Sequence, residues 1–322
     1  MSINKPLVSV ILPCFNAENF IEVAVNSILN QSYTNIELIV IDDGSSDASL
    51  DILQQIKDAR LTVISQQNVG YKVTLNRLLE LTNGEFIARQ DADDISLPLR
   101  FEKQVAFMLN NPNCAVVGTW AEIFCPTNKV KRFHKHPTDN LSLQFFLLFD
   151  NPFVHSSIMM RKTCINKVGI YDINKGWEDY DLWSRFSREY EIANLPEVLQ
   201  VYRELNSGVS KTTKDYAARV NQISLENLLY YLPSEPNNVK DLCSLYHGKY
   251  QEISIDCTPQ KIELTFNRIA NEIAKKNNFK NESLLNELQT RYLRALSKKI
   301  TRFKRFGNLF LFARAIFNKL KK

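Results

Sequence analysis

The sequence predicts an α/β protein with a mostly parallel sheet, followed by a helical C-terminal region. Over the first 90 residues, runs typical of buried strands alternate with helix patterns, and such alternation builds a parallel sheet covered by helices. The patterns are mixed from about 98 to 203, and from about 215 the chain reads as helical. We therefore expect an α/β domain over 1–210 and a helical region over 211–322.

Each element of the alternating part is predicted from its own residues. The strand runs are short, apolar and β-branched, as in strands buried on both faces. They are Leu7–Pro13, Ile36–Ile41, Leu61–Ser65 and Glu85–Arg89. The helices between them are Asn19–Asn30, Asp47–Ile56 and Lys72–Leu81. Ser45 or Ser46 is expected to cap the second helix. Ligands should lie beyond the carboxyl ends of such strands.

The following part is predicted as further strands and helices in no fixed alternation. Helices are expected over Pro98–Leu109 and Trp177–Arg188. Strands are expected over Ala115–Trp120, Ile192–Asn194 and Val198–Tyr202, with apolar segments near 141–149 and 153–160.

Composition excludes several classes of protein. Apolar residues make up 44% and charged residues 23% of 322 residues, which excludes a mostly disordered chain. With 9 glycines the chain has neither the dinucleotide-binding glycine motif nor a P-loop. The 6 cysteines form no C-x-x-C pair, as in a reduced protein. With no secretory h-region or apolar spanning run, we expect a cytoplasmic protein, peripheral on the inner face of the membrane.

The positive charge is concentrated at the C-terminal end. The formal net charge is +5, yet residues 291–322 contain 11 Lys and Arg and no acidic residue, so residues 1–290 carry −6. Apolar residues such as Phe303, Phe310 and Phe317 recur there at helical spacing. A basic amphipathic helix of this kind is typical of contact with an anionic membrane rather than with nucleic acid. The alternative is a last helix packed on the body or on another subunit.

Three acidic clusters lie at strand ends or before a helix. They are Asp42-Asp43, Asp91-Ala92-Asp93-Asp94 and Glu178-Asp179-Tyr180-Asp181. In extended backbone, Asp91 and Asp93 would point the same way and could share one ligand. Ligation by oxygen alone favours Mg²⁺ or Mn²⁺, whose remaining ligands are often phosphates and water. The alternative is a solvated acidic loop at the start of a helix.

The order of the motifs resembles family 2 of the glycosyltransferases, which have the GT-A fold. The resemblance extends from residue 7 to about 203. The motifs are VSVILPCFN (8–16), NSILNQSY (26–33), ELIVIDDGSSD (37–47), NVG (68–70), GEFI (84–87), RQDADD (89–94), NPFVHSS (151–157) and WEDYDLW (177–183). Asn76 and Leu97-Pro98-Leu99-Arg100-Phe101 also match.

The resemblance implies site residues by position. It implies that Phe15 stacks on a uracil ring and that Asp43 hydrogen-bonds the base. Asp91 would contact the ribose or first phosphate, Asp93 a divalent metal, Mn²⁺ or Mg²⁺, and Asp179 would be the catalytic base. The other expected donor-binding residues, carried by the same motifs, are Pro13, Asn16, Asn68 and Arg89.

The implied reaction is an inverting transfer of a hexosyl or N-acetylhexosaminyl group from a nucleotide sugar, UDP-linked, to a glycan hydroxyl. A metal would neutralise charge on the leaving diphosphate, and a carboxylate would take the proton of the acceptor hydroxyl. Resemblance to surface-polysaccharide enzymes implies an acceptor in bacterial O-antigen, capsule or lipooligosaccharide synthesis, free or lipid-linked.

Three residues near the predicted base have an open role. His155 is expected on the acceptor or diphosphate side of the cleft, or as a hydrogen-bonded core residue. Glu178 either orients Asp179 or the acceptor, on the same side of the cleft, or is an acid at a helix start. Trp177 either stacks on a sugar or packs in the core, while Asp181 and Trp183 are expected to hold structure.

One departure from the family pattern concerns the metal. Many relatives have a histidine two residues after a Tyr-Arg pair, but Tyr202-Arg203 is followed by Glu204 and Leu205. Either Glu204 substitutes as a ligand, or Asp93, phosphates and water complete the shell.

Two rival functions remain at this stage. An inactive sugar-nucleotide-binding scaffold would have the same fold, although the joint presence of Asp43, Asp91, Asp93 and Asp179 argues against it. A receiver-type phosphoryl-transfer domain would also place acids after a strand, but it needs a lysine at a later strand end, where this chain has Arg89.

Overall fold

The computed structural model describes residues 5–125, 131–205, 216–254 and 256–299. The chain divides into two units, residues 1–143 with 152–213 and residues 144–151 with 214–322. The domain boundary near residue 210 stays a prediction.

A mixed sheet forms the centre of the first unit. In the described part of the chain its strands are β1 (Val8–Cys14), β2 (Ile36–Asp42), β3 (Leu61–Ser65), β4 (Phe86–Arg89), β5 (Ile95–Ser96), β6 (Cys114–Phe124), β7 (Lys131–His134), β8 (Met159–Arg161) and β9 (Glu191–Arg203). The helices up to residue 189 are α1 (Ile21–Leu29), α2 (Ser49–Gln55), α3 (Tyr71–Glu80), α4 (Arg100–Asn110), α5 (Asn140–Leu147), α6 (Lys162–Val168) and α7 (Glu178–Glu189). The strand order is β3-β2-β1-β4-β8-β6-β9-β5, and β7 pairs with β6.

The predicted parallel half of the sheet is confirmed. β1 is parallel to β2 on one side and to β4 on the other, so Val10 pairs with both Leu38 and Ala88. Every residue of β1 is buried, which explains its continuous apolar run. Because successive connections run outward from β1 in opposite directions, the carboxyl ends of β1 and β4 flank a topological switch point, where α/β sheets bind ligands.

The other half departs from a purely parallel sheet. The segment near 153–160 ends in β8, which lies antiparallel between β4 and β6. The two strands predicted at 192–194 and 198–202 are one strand, β9, parallel to β6. Thr119 pairs with Leu195 and Trp120 with Val198, so Pro196 and Glu197 are accommodated as an irregularity inside the strand. The ladder therefore continues past the proline.

Two helix details also differ from the prediction. α2 begins at Ser49 rather than Asp47, and neither Ser45 nor Ser46 caps it. The Ser45 hydroxyl instead donates to Asp42, which tightens the turn after β2.

A buried arginine organises the region below the carboxyl end of β4. Arg100, at the start of α4, is fully buried and all its guanidinium nitrogens donate hydrogen bonds. Its six acceptors at 2.8–3.1 Å are Gln90, Ser96, Gln104 and Gln200 side chains and the Arg89 and Ile158 carbonyls. The network fastens both ends of the segment 89–96, which contains the predicted metal loop.

The second unit is helical in its described part. Its helices are α8 (Tyr216–Tyr231), α9 (Pro236–Tyr246), α10 (Pro259–Lys276) and α11 (282–299). Phe149 stacks on Tyr246 with ring centroids 3.9 Å apart, and Tyr292 of α11 packs beside Phe149 at 5.9 Å. The start of the predicted basic tail, 291–299, therefore packs within this unit, and Leu296 is buried there. Residues 300–322 lie outside the described residues.

Within the described ranges, no helix combines the length and the hydropathy needed to cross a membrane.

Candidate active site

The residues predicted for the donor base lie beyond the ends of β1 and β2. Pro13 is buried in β1, while the Phe15 side chain that follows is 52% exposed. Asn16 adopts φ +48°, which turns the chain after Phe15. Its side-chain oxygen accepts from the Ser46 N–H at 2.8 Å, and its own N–H donates to Ser45 Oγ at 2.9 Å. The loops after the two strands are thus tied together, with an exposed aromatic ring at their edge.

Asp43 holds a second loop against this edge. Its Oδ1 accepts from Gln66 Nε2 at 2.7 Å and from the Val69 N–H at 3.0 Å, and its Oδ2 accepts from the Gly70 N–H at 3.0 Å. The backbone after β2 lies close to this second loop, since a Cβ on Gly44 would be 2.8 Å from the Asn68 nitrogen. The Asn68 side chain itself is exposed. Asp43 therefore positions the loop that carries Asn68, and most of its hydrogen-bonding capacity is used within the protein.

The acids after β4 gather through a turn rather than through the extended backbone that was predicted. The Asp94 N–H donates to the Asp91 carbonyl at 3.3 Å, which closes a turn over 91–94. One carboxylate oxygen from each of Asp91, Asp93 and Asp94 lies within 4.8 Å of the others. An oxygen-only set of this kind suits Mg²⁺ or Mn²⁺.

The three carboxylates differ in the hydrogen bonds that they accept. Both oxygens of Asp91 accept from the Arg89 guanidinium. Asp94 accepts from the Ser156 hydroxyl and, at 2.8 Å, from the Arg203 N–H. The Asp93 carboxylate, by contrast, accepts no hydrogen bond from the side chain of another described residue. Burial and the neighbouring charge of Asp91 raise the pKa of Asp93 to about 6. Asp93 is thus the carboxylate of the set whose oxygens accept no hydrogen bond from another described side chain, as expected of a cation ligand.

A chain of polar contacts leads from this loop across the site. The Arg89 side chain is 1% exposed, and besides Asp91 it donates to the Tyr71 hydroxyl. That hydroxyl lies 3.4 Å from Nδ1 of His155. His155 Nδ1 in turn lies 3.9 Å from Oδ2 of Asp179, and the His155 side chain is 12% exposed. The predicted base is therefore connected to the predicted metal loop through Arg89, Tyr71 and His155.

Asp179 and Glu178 occupy the first turn of α7, where the helix dipole favours negative charge. Both are buried, and Lys72 Nζ lies 3.8 Å from Glu178 Oε2. Burial and the charge of Asp179 raise the pKa of Glu178 to about 7. Trp177, the residue before α7, is partly buried. Of these two adjacent carboxyls, Glu178 is therefore the one that holds a proton more readily than an exposed glutamate does.

The α3 helix holds the loop that leads to Asp179, and this support was not predicted. The Asn76 amide makes two bonds to the Tyr171 backbone, donating to its carbonyl at 2.8 Å and accepting from its N–H at 3.0 Å. Lys72 donates to the Lys175 carbonyl. Asn76 was seen only as a match to the family, and Tyr71 and Tyr171 carried no signal in a single sequence.

Other predicted residues prove to be structural. Asp181 accepts from Arg185 Nε at 2.9 Å, and Trp183 is fully buried, so both hold structure as expected. Glu204 is bonded by Arg132 at 2.7 Å and lies outside the group of three acids. The arrangement thus favours Asp93, phosphates and water over Glu204 as the metal shell.

Comparison of sequences shows which known proteins this chain is similar to. A family model described as "Glycosyl transferase family 2" matches residues 9–169. An uncharacterized glycosyltransferase of Haemophilus influenzae is 34% identical over 76% of this chain and 81% of its own length. The O-antigen biosynthesis glycosyltransferase WbnJ of Escherichia coli is 33% identical over 65% of this chain and 84% of its own length.

Solved structures share the fold. TarS 1-349 of S. aureus in complex with UDP-GlcNAc has a TM-score of 0.61 at 16% identity, covering 93% of this chain and 92% of its own. The mannosyltransferase PcManGT of Pyrobaculum calidifontis, in complex with GDP-Man and Mn²⁺, has a TM-score of 0.56 at 17% identity, covering 99% of this chain and 89% of its own. The receiver-type alternative is therefore wrong.

Proposed function

Since the chain belongs to glycosyl transferase family 2, we propose that it transfers a sugar from a UDP-linked donor to a hydroxyl of a bacterial surface glycan, with inversion. The chain is a glycosyltransferase with a GT-A fold; the donor, acceptor, metal and stereochemistry belong to the proposal. The observation that carries it is the contact chain from Asp91 through Arg89, Tyr71 and His155 to Asp179.

The donor nucleotide would occupy the edge beyond β1 and β2. The exposed Phe15 ring offers a face for a flat base. The Asn16 and Asn68 side chains border the same edge. The resemblance to UDP-using relatives and the TarS complex with UDP-GlcNAc support uridine, and the acid loop after β4 would receive the diphosphate.

A divalent ion at Asp93, when bound, would neutralise charge on the diphosphate as it leaves. The protein's own part is to keep that carboxylate in place. Arg89 fixes Asp91, Ser156 and Arg203 fix Asp94, and the Arg100 network anchors the segment beneath them. The site is thus built before the ligand arrives, which avoids reorganisation during the reaction.

Asp179 would act as general base in a single displacement. The acceptor oxygen bonds to the anomeric carbon as the bond from that carbon to the diphosphate oxygen breaks, and the hydroxyl proton passes to the Asp179 carboxylate. Attack opposite the leaving group inverts the anomeric centre, so an α-linked donor gives a β-linked product. One base suffices, without a covalent sugar intermediate.

Ligand-dependent stability tests the donor and the metal. With UDP at about 100 times its Kd and Mn²⁺ present, the free energy of unfolding should rise by about 2.7 kcal/mol, since only the folded state binds. Thermal unfolding with UDP, GDP and ADP, each with and without Mn²⁺, measures this. Asp93→Asn should lose the Mn²⁺-dependent part of the shift in Tm, whereas Asp51→Asn, at an exposed position on α2, should keep it. A larger shift with GDP than with UDP would refute the uridine donor.

We also propose that the basic segment at the C-terminal end contacts an anionic membrane, which suits a lipid-linked acceptor. Because 291–299 pack within the second unit, the test leaves them intact and reverses charges further on. Arg302→Glu, Lys304→Glu and Arg305→Glu together should weaken binding to phosphatidylglycerol vesicles about 100-fold or more, at about 1 kcal/mol for each basic residue. Co-sedimentation measures this, with phosphatidylcholine vesicles as the control. Equal binding of the variant and the parent would exclude this contact.

A further inference from the structure

Tyr71 lies between the buried Arg89 guanidinium and the imidazole of His155. Its hydroxyl is bonded to Arg89 Nη2 and lies 3.4 Å from His155 Nδ1. A guanidinium has donors only, so the Tyr71 oxygen must be the acceptor in the first contact. Burial raises the pKa of Tyr71 well above its ordinary value, so the hydroxyl keeps its proton at neutral pH. That proton is available for the second contact, in which Nδ1 would be the acceptor.

The other side of the imidazole agrees with this assignment. His155 Nε2 lies 2.9 Å from the Tyr171 hydroxyl. Burial, with a further contribution from Arg89, holds the pKa of His155 well below its ordinary value, so the ring is neutral at pH 7. A neutral imidazole has one N–H. With Nδ1 accepting from Tyr71, the N–H is on Nε2 and donates to Tyr171.

We propose that Tyr71 is a positioning residue that fixes His155 as the neutral Nε2–H tautomer and thereby keeps the Asp179 carboxylate available as a base. Nδ1 is the ring atom that faces Asp179, at 3.9 Å from Oδ2. The other tautomer would place an N–H dipole there, and a donor directed at a carboxylate favours its charged form and weakens it as a base. The arrangement is the reverse of a Ser-His-Asp triad, in which the histidine donates to the aspartate.

The inference rests on the proposed role of Asp179, but its first test does not require activity. In protein labelled with ¹⁵N-histidine, two-bond ¹H–¹⁵N correlations distinguish the two tautomers and the imidazolium. The chain has 4 histidines, and His155→Gln assigns the signal of interest. At pH 7 the parent should show the Nε2–H tautomer for His155. The Nδ1–H tautomer or an imidazolium in the parent would overturn the proposal, whatever the enzyme transfers.

The second test removes only the Tyr71 hydroxyl. In Tyr71→Phe, Nδ1 loses its donor, so the Nδ1–H tautomer should appear in the spectrum. The kcat for sugar transfer should fall about tenfold, a part of what a general base contributes. The KM for the donor should change much less than kcat, because both bonds from Arg89 to Asp91 remain. Tyr190→Phe, a matched loss of a hydroxyl at the C-terminal end of α7, should change neither the spectrum of His155 nor kcat.

Different outcomes test the role of Tyr71, its link to Asp179 and the proposed function separately. A tautomer change in Tyr71→Phe without loss of kcat would refute the link to Asp179. An unchanged tautomer would refute the role of Tyr71 itself, provided that thermal unfolding shows the variant to be folded. A parent that has the Nε2–H tautomer but transfers no sugar from any nucleotide donor would instead refute the proposed function.

Discussion

Replacement of Asp179 by Asn should lower kcat by about 100- to 10,000-fold, the range that a general base contributes. The amide has nearly the shape of the carboxylate but cannot take the proton of an acceptor hydroxyl. The nucleotide should still bind, because Phe15, Asp43 and Asp93 lie on other loops. Initial rates at saturating donor and acceptor measure the loss, and the Tm shift with UDP and Mn²⁺ shows that donor binding persists.

Asp181→Asn is the matched control for this variant. Asp181 lies two residues further along α7 and is bonded to Arg185, so its role is structural. We expect a small loss of stability and a kcat close to that of the parent. If Asp179→Asn and Asp181→Asn had equal kcat, Asp179 would not be the base. If the parent bound UDP but turned over no donor with any glycan acceptor, the inactive-scaffold alternative would gain support.

Replacement of Arg100 by Leu should lower the free energy of unfolding by about 2–5 kcal/mol, because its buried neutral acceptors lose donors, at about 1–3 kcal/mol for each group left unsatisfied. The leucine removes the Arg100 donors to four side chains and two carbonyls, and Gln104 Oε1 and the Arg89 carbonyl are among the buried acceptors that lose a bond. Urea denaturation followed by circular dichroism measures the change.

Arg60→Leu is the control, because Arg60 makes an ion pair with Asp58 on the surface, where such pairs contribute about 1 kcal/mol or less. A similar, small loss in both variants would mean that water or neighbouring groups replace the Arg100 donors. That outcome would also mean that the Arg100 network does not anchor the acid loop.

The parallel half of the fold could be predicted because its signals are local. A fully buried strand such as β1 shows its environment in a continuous apolar run, and the turn residues after β2 mark where it ends. The antiparallel β8 was not predicted, since three residues carry no period. β9 was predicted as two strands, because the ladder to β6 that continues past Pro196 is a long-range contact that no local pattern shows.

The residues of the candidate site likewise fall into those that the sequence indicated and those that only the structure reveals. Acidic clusters after a strand or before a helix pointed to Asp91, Asp93 and Asp179, and the resemblance to the family gave each its expected role. Tyr71, Lys72 and Tyr171 act through partners as far as 103 residues away, so a single sequence shows no pattern for them. A turn at 91–94 takes the place of the extended backbone that was predicted. Asp94 in that turn is held by Arg203 and Ser156, which lie far from it in the sequence.

The three hydrogen bonds that Asp43 accepts from Gln66, Val69 and Gly70 bear on the engineering of new donor preferences. A change at Asp43 that aimed to exchange one nucleobase for another would also release the loop that carries Asn68. Reprogramming the enzyme toward a different nucleotide therefore requires joint redesign of Asp43 and residues 66–70, and libraries that vary Asp43 alone would yield mainly damaged binding sites rather than altered selectivity.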